Sequence, residues 1–182
     1  MVVIRVYTPG NRTDETFPCR AAFQALSAIL PFYCVEEATL GAYGYRDVLK
    51  KYWDIDDDLC VLEQDLIPTE YMFMDISNCQ HWNCAYAYRL YPPSLGRAGT
   101  EIAHRVTGEK ETPDWIAEGT EWANYAGLGF TKLGKYARRR MALDWTSDRL
   151  HHTNMDVLIS RGMMENRIPF HIHWPEVHHF HR

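Results

Sequence analysis

Apolar residues along the chain come in short runs whose spacing alternates between strand-like and helix-like. Val2 to Tyr7 is rich in β-branched and aromatic residues and stops at Thr8-Pro9-Gly10, which predicts a strand followed by a turn. Ala21, Phe23, Ala25, Leu26, Ile29 and Leu30 suit a helix from Arg20 to Leu30, and Pro31 ends it. Phe32 to Val35 reads as a short buried strand running into Glu36-Glu37. A helix follows from about Tyr43 to Tyr52, with Tyr45, Val48, Leu49 and Tyr52 on one side. Beyond the acidic stretch Asp54 to Asp58, Leu59-Cys60-Val61-Leu62 is continuously apolar, as in a strand buried on both faces, and Glu63-Gln64-Asp65 comes directly after it. Strand, helix, strand, helix, strand is the order of a parallel sheet covered by helices, whose sites lie at the carboxyl ends of its strands.

The second half has a weaker pattern. Cys84 to Tyr91 alternates aromatics and predicts a strand, while Gly99 to Pro113 is polar and predicts a loop. Trp122 to Leu133 holds Gly127-Leu128-Gly129-Phe130, read as a strand with close backbone approach rather than a phosphate loop. Lys135 to Met141 is expected to be helical, as is a longer segment from about Thr146 to Ser160, with Gly162 just beyond it. The tail from Ile168 to Arg182 begins as a strand and then loses its period.

A length of 182 residues fits one domain. Lys and Arg number 19 against 24 Asp and Glu, a net charge of −5, which excludes a uniformly basic nucleic-acid-binding protein but leaves room for a local basic patch. The longest uncharged apolar stretch, Ala21 to Val35, is interrupted by Gln24, Ser27 and Pro31 and is shorter than the roughly 20 residues a bilayer requires. The opening residues have no leader pattern, and five cysteines without tight pairing suit reduced thiols, so a cytoplasmic protein is expected. Cys79 and Cys84 with His81 between them resemble half of a zinc site, but no second pair follows at ligand spacing, which argues against one.

Two clusters carry candidate chemistry. In an extended segment residues i and i+2 share a face, so Glu63 and Asp65 can present both carboxylates to one site suited to Mg²⁺ or Mn²⁺. Five of the nine histidines fall in the last twelve residues, and His171 and His173 share a face by the same spacing, which makes this tail the natural source of an imidazole ligand. Lys132, Lys135, Arg138, Arg139 and Arg140 form a basic run, read either as a solvated helix face or as a phosphate track.

Taken in order, the strand Val2 to Tyr7, the strand Phe32 to Val35 ending in acid, the helix Tyr43 to Tyr52, and Leu59 to Leu62 running into Glu63-Gln64-Asp65 resemble the GT-A glycosyltransferases, in particular small family-2-like members, including those of phage type. The resemblance is one of pattern over the whole chain. It departs from the family's D-x-D-type motif at Glu63 and leaves little length for a separate acceptor domain. It implies a single α/β GT-A-like (Rossmann-like) domain with a mostly parallel sheet flanked by helices. Residues 1–68 would form the nucleotide-binding half, and residues 69–182 the acceptor side with the C-terminal histidine segment.

The activity it implies is metal-dependent transfer of a sugar from a nucleotide diphosphate-sugar, a UDP-sugar first, to a hydroxyl acceptor, with inversion expected and retention left open. Asp65 and His173 would hold Mn²⁺ or Mg²⁺, with Glu63 assisting and His171 in reserve. Asp148, or Asp144 as runner-up, would be the general base near the start of a late helix. Thr8 and Pro9 would face the nucleotide base, Glu36 or Glu37 the ribose or base, and Tyr45 and Arg46 would flank it. The basic run makes hydroxymethylated DNA one acceptor to consider beside lipid, protein and small molecules. Two rival readings stay open: a metallohydrolase using His171, His173, His178 and His181 with Asp65, and a nucleic-acid-binding accessory domain using Lys132 to Arg140.

Overall fold

The computed structural model describes residues 1–10, 18–88, 104–106, 113–115, 119, 121–146, 155–174 and 178–179. Its centre is a seven-stranded sheet in the order β2-β1-β3-β9-β5-β10-β8. These strands are β1 (Val2–Tyr7), β2 (Tyr33–Ala38), β3 (Leu59–Glu63), β5 (Asn83–Tyr86), β8 (Trp122–Ala123), β9 (Phe130–Leu133) and β10 (Phe170–His173). β1 pairs in parallel with β2 and β3, and β10 in parallel with β5, while β9 and β8 run against the rest. The sheet is therefore mostly parallel, as the alternating pattern predicts. Two small ribbons lie beside it, β4 (Leu66–Ile67) with β11 (His178–His179), and β6 (His104–Val106) with β7 (Pro113–Trp115).

Helices cover both faces. Alternation along β1 turns Val3 to one face and Ile4 and Val6 to the other. On the first face, Phe23 of α1 (Pro18–Ser27) and Met72, Phe73 and Ile76 of α3 (Glu70–Asn78) pack against Val3, Cys60, Leu62, Tyr86 and Phe130. On the second, Tyr45, Val48 and Leu49 of α2 (Gly44–Trp53), Ala137 of α4 (Lys135–Arg140) and Ile159 and Met163 of α5 (Met155–Glu165) pack against Ile4, Val61, Ala85 and Ile172. The result is a three-layer α/β architecture.

Several expectations need correction. β2 carries Glu36 and Glu37 at its C-terminal end as expected, but it extends to Ala38 and is half-buried rather than buried. α3 lies in the irregular middle. Its Thr69 side chain accepts a hydrogen bond from the Met72 N–H at 3.3 Å, capping the helix start. Trp122 to Leu133 is two strands instead of one, separated by the glycine stretch, and β6 falls inside the segment read as loop. The late helix begins at Met155, and residues 147–154, where its start was expected, lie outside the described residues. The close approach expected at the glycines is real at Gly129, where a Cβ would sit 2.6 Å from the Tyr88 ring.

The basic run does not form one surface. Lys132 is 2% exposed and donates to the Cys79 carbonyl at 2.6 Å, and Arg138 is 1% exposed. Arg138 donates to the carbonyls of Tyr52 (2.8 Å), Trp53 (2.5 Å), Ile55 (3.2 Å) and Asp57. It thereby ties the last carbonyls of α2 to those of the acidic loop that follows it. Burial pushes its pKa down to about 10, with the acidic loop Asp54 to Asp58 opposing the shift.

Candidate active site

After β1 the chain turns to α1 on one face, and after β2 it turns to α2 on the other. The chain thus leaves these neighbouring strands toward opposite faces, and the crevice beyond such strand ends is where open α/β sheets bind ligands. A cleft of ≈ 180 Å³ occupies it, lined by Val6, Tyr7, Thr8, Thr39, Tyr45, Glu63, Gln64 and Asp65. Thr39 ties its floor together. Its N–H donates to the Tyr7 carbonyl at 2.7 Å, and its hydroxyl lies 2.9 Å from that of Thr8. The Thr8 N–H donates to the Gln64 side-chain oxygen at 2.7 Å, which links the end of β1 to the acidic turn after β3. Gly44 opens α2 hard against this floor: a Cβ there would lie 2.6 Å from the Thr39 carbonyl carbon, so only glycine fits.

Two carboxylates face this cleft. The Tyr45 hydroxyl donates to Glu63 at 3.1 Å, and burial, followed by the Glu63 charge, pushes the Tyr45 pKa well above its ordinary value. The Glu63 N–H donates to the Gly129 carbonyl at 2.7 Å, fixing the acidic turn against β9. The donors Glu63, Gln64, Asp65 and Thr8 are all oxygens, a set that fits Mn²⁺ or Mg²⁺ better than a thiophilic metal. Beneath the turn, buried Arg5 pairs with Glu36 at 3.1 Å.

A third acid joins this region from a place the sequence pattern does not mark. Asp156, in the first turn of α5, is half-buried and hydrogen-bonded by Tyr125. Burial raises its pKa, only partly offset by hydrogen bonds from the Val157 N–H and Tyr125. Its charge acts on Tyr45 and Tyr88 together with that of Glu63, so the two acids share one aromatic neighbourhood. Asp-Val-Leu-Ile at a helix start is an ordinary sequence, and only the fold brings it here.

Of the residues expected at the site, Thr8, Tyr45, Glu63 and Asp65 line the cleft. Pro9 is exposed beside it and does not line it. Glu36 is bound by Arg5 and Arg20, and Glu37 by Lys51 at 2.6 Å and by the Tyr52 hydroxyl. These partners lower the Glu37 pKa in spite of its burial. Arg46 stacks on Tyr43 at 4.3 Å and pairs with Asp47 at 2.8 Å. Asp144 caps Thr146, whose N–H and hydroxyl lie 3.0 and 2.6 Å from its carboxylate, and these bonds lower its pKa. Asp148 lies outside the described residues.

The largest departure concerns His171 and His173. β10 pairs with β5, and β9 and β5 stand between it and β3, so three strand spacings, about 14 Å, separate β10 from the strand that ends in Glu63. His173 Nδ1 lies 2.5 Å from Asp75 and its Nε2 3.2 Å from His171 Nδ1, so both ring nitrogens are engaged away from Asp65. Around them stand Cys79, 3.5 Å from His171, and Cys84, whose thiol donates to Cys79 at 2.7 Å. That bond holds the Cys79 pKa down, with His173 adding to the shift. Burial disfavours protonated His173, but Cys79 and Asp75 outweigh it and raise the pKa. The segment that does return to the acidic turn is β11, paired in antiparallel register His179↔Leu66 and His178↔Ile67.

No family model matches the chain. No curated protein matches it either. Among solved structures, the protein A197 from STIV superposes with a TM-score of 0.65 at 16% identity, covering 100% of this chain and 87% of that one. A protein assigned as a glucose-1-phosphate thymidylyltransferase from Bacillus anthracis, in complex with a sucrose, superposes at 0.54 and 9% identity, covering 97% and 87%. The fold is GT-A-like. A glycosyltransferase involved in glycosylating the major capsid of PBCV-1 also aligns, at 11% identity over 96% of this chain and 83% of its own, but a TM-score of 0.40 is too low to bear on the comparison. Among the described residues no helix is long and apolar enough to cross a membrane.

Proposed function

We propose that the protein is a metal-dependent transferase acting on a nucleotide diphosphate-sugar, a UDP-sugar first among the candidates, and that it passes the sugar to a hydroxyl acceptor. The observation that carries this reading is the gathering of Thr8, Thr39, Tyr45, Glu63 and Asp65 in one crevice at the strand ends of a GT-A-like sheet. Asp65, assisted by Glu63, would hold Mn²⁺ or Mg²⁺, and an ion there supplies positive charge for the leaving diphosphate. Thr8 would meet the nucleotide, while the Tyr45 hydroxyl fixes the Glu63 carboxylate. It is the backbone of β11, rather than that of β10 with His173, that returns beside the acidic turn.

Asp156 is our general base. A carboxyl whose pKa is raised by burial, and whose charge acts on Tyr45 as that of Glu63 does, accepts a proton from an acceptor hydroxyl more readily than the exposed Asp144, and Asp156 occupies the first turn of a late helix. A base on the opposite face from the leaving group gives inversion. For the acceptor, Lys132 and Arg138 of the basic run are buried on backbone carbonyls, and Lys135 and Arg139 share the Asp56 carboxylate, so the exposed basic patch is much smaller than the run suggests. A hydroxyl compound outside nucleic acid is the stronger candidate than hydroxymethylated DNA.

The thymidylyltransferase likeness supports a second reading, nucleotidyl transfer to a sugar phosphate. A calorimetric screen of UDP-, GDP- and dTDP-sugars with Mn²⁺ or Mg²⁺ tests the donor site, with saturable, metal-dependent binding expected. The products then separate the readings. Glycosyl transfer releases a nucleoside diphosphate, and nucleotidyl transfer releases pyrophosphate from a nucleoside triphosphate. Absence of binding to every nucleotide-sugar tested counts against both.

A further inference from the structure

We propose that Cys79, Cys84, His171 and His173 form a structural zinc site, separate from the strand-end cleft. The ligand atoms of these four residues all lie within 4.8 Å of one another. A tetrahedral zinc with bonds of about 2.0–2.1 Å to nitrogen and about 2.3 Å to sulfur has edges of about 3.3 Å between nitrogens, about 3.6 Å from nitrogen to sulfur and about 3.8 Å between sulfurs. His171 Nδ1 and His173 Nε2 are 3.2 Å apart, and Cys79 Sγ and His171 Nδ1 are 3.5 Å apart, both close to those edges. The sulfurs, at 2.7 Å, must part by about 1 Å, which a rotation of the Cys79 side chain at the end of α3 supplies.

Three more features fit a metal centre. Asp75 engages His173 Nδ1 and is itself bonded by the Tyr86 hydroxyl at 2.6 Å, so His173 turns its Nε2 lone pair into the cluster. A carboxylate orienting a ligating imidazole in this way is the usual outer shell of a zinc site. His171 is walled by the His81 and Trp122 rings, with centroids 4.4 and 5.1 Å away, and Lys132 fixes the Cys79 carbonyl. Cys79-x₄-Cys84 has the spacing of a zinc-binding pair, and the parallel register His171↔Cys84 sets the second pair beside it from 87 residues further along (171 − 84). Two thiolates and two imidazoles fill four positions, so the ion is closed to substrate water and joins α3, β5 and β10. Each thiol gives up its proton to solvent on binding.

The test is to purify the full chain under reducing conditions without chelator and weigh it by native mass spectrometry. One bound zinc per chain, with two protons lost, is expected. Cobalt substituted for it should show intense tetrahedral bands and a thiolate-to-metal charge-transfer band. That band should fall by about half in Cys79→Ser, and zinc affinity should drop on the order of 10–100-fold in the milder Asp75→Asn variant. Asp65→Ala should keep its full zinc content. No zinc at stoichiometry, cobalt without a thiolate band, or a Cys79–Cys84 disulfide in the freshly reduced protein would overturn the proposal. So would zinc lost on Asp65→Ala, which would make the two sites one. The readout does not depend on any activity at the cleft, and so stands or falls apart from the nucleotide-sugar reading.

Discussion

The strand-end cleft and the cysteine-histidine cluster use the same sheet in opposite ways. The cleft opens beyond the ends of β1, β2 and β3 and offers oxygens from the segments there, Thr8, Thr39 and Glu63 to Asp65. The cluster lies between the end of α3 and the paired strands β5 and β10 and offers sulfur and imidazole, with Cys84 and His173 buried. Oxygen donors at an open mouth suit a hard ion that must also meet a substrate's phosphates, whereas a closed sulfur and nitrogen set suits an ion that only holds strands together. A histidine near the C-terminus is therefore not enough to define a catalytic metal. Its strand neighbours decide which kind of site it joins.

The strongest way to break that distinction is Asp65→Ala. It should abolish Mn²⁺-dependent donor binding in calorimetry while leaving the behaviour of Cys79 and Cys84 toward zinc unchanged, and unaltered donor affinity would remove Asp65 from the site. Next in size is Asp156→Asn, expected to lower kcat by roughly 10²–10⁴-fold with the donor KM nearly constant. The same substitution should raise stability at neutral pH. Because the folded state raises the Asp156 pKa, the folded protein holds that proton more tightly than the unfolded chain does. Stability is thus greatest below the unfolded carboxyl value and declines as pH rises through the folded one, a decline that Asn cannot show. Matching pH profiles of Tm for the wild type and Asp156→Asn would show that Asp156 carries no such shift.

Smaller effects sharpen the comparison further. Gly44→Ala pushes a methyl into the Thr39 backbone and should cost roughly 1–3 kcal/mol in denaturant unfolding while weakening the donor, with the zinc content intact. Glu63→Ala should be the mildest, a loss of donor affinity well short of that for Asp65→Ala, since Tyr45 already occupies one of its oxygens. Equal losses for the two acids would assign Glu63 an equal share of the metal.

What the sequence reveals follows from how local each feature is. β1, α2, β3 and the acidic turn are read correctly because each lies in one continuous stretch whose period and ending residues are both in view. The cluster is not legible. Its two halves lie 87 residues apart (171 − 84), and only the parallel register of β10 on β5 joins them, so Cys79 and Cys84 look like half a motif with nothing to complete it. Asp156 is hidden for a similar reason, since its raised pKa comes from burial and not from any neighbour in the chain. Lys132 and Arg138 mislead in the other direction. Charge in a run reads as surface, yet both are buried on carbonyl oxygens.

The most direct measurement is an anomalous-scattering map from crystals of the protein grown with Mn²⁺ and the nucleoside diphosphate of the best donor. The account predicts a manganese peak between the Asp65 carboxylate and the diphosphate at the ends of β1 and β3, with no manganese at Cys79, Cys84, His171 and His173. A manganese peak on His171 and His173, or a diphosphate bound anywhere other than the crevice lined by Thr8, Thr39 and Asp65, would contradict it.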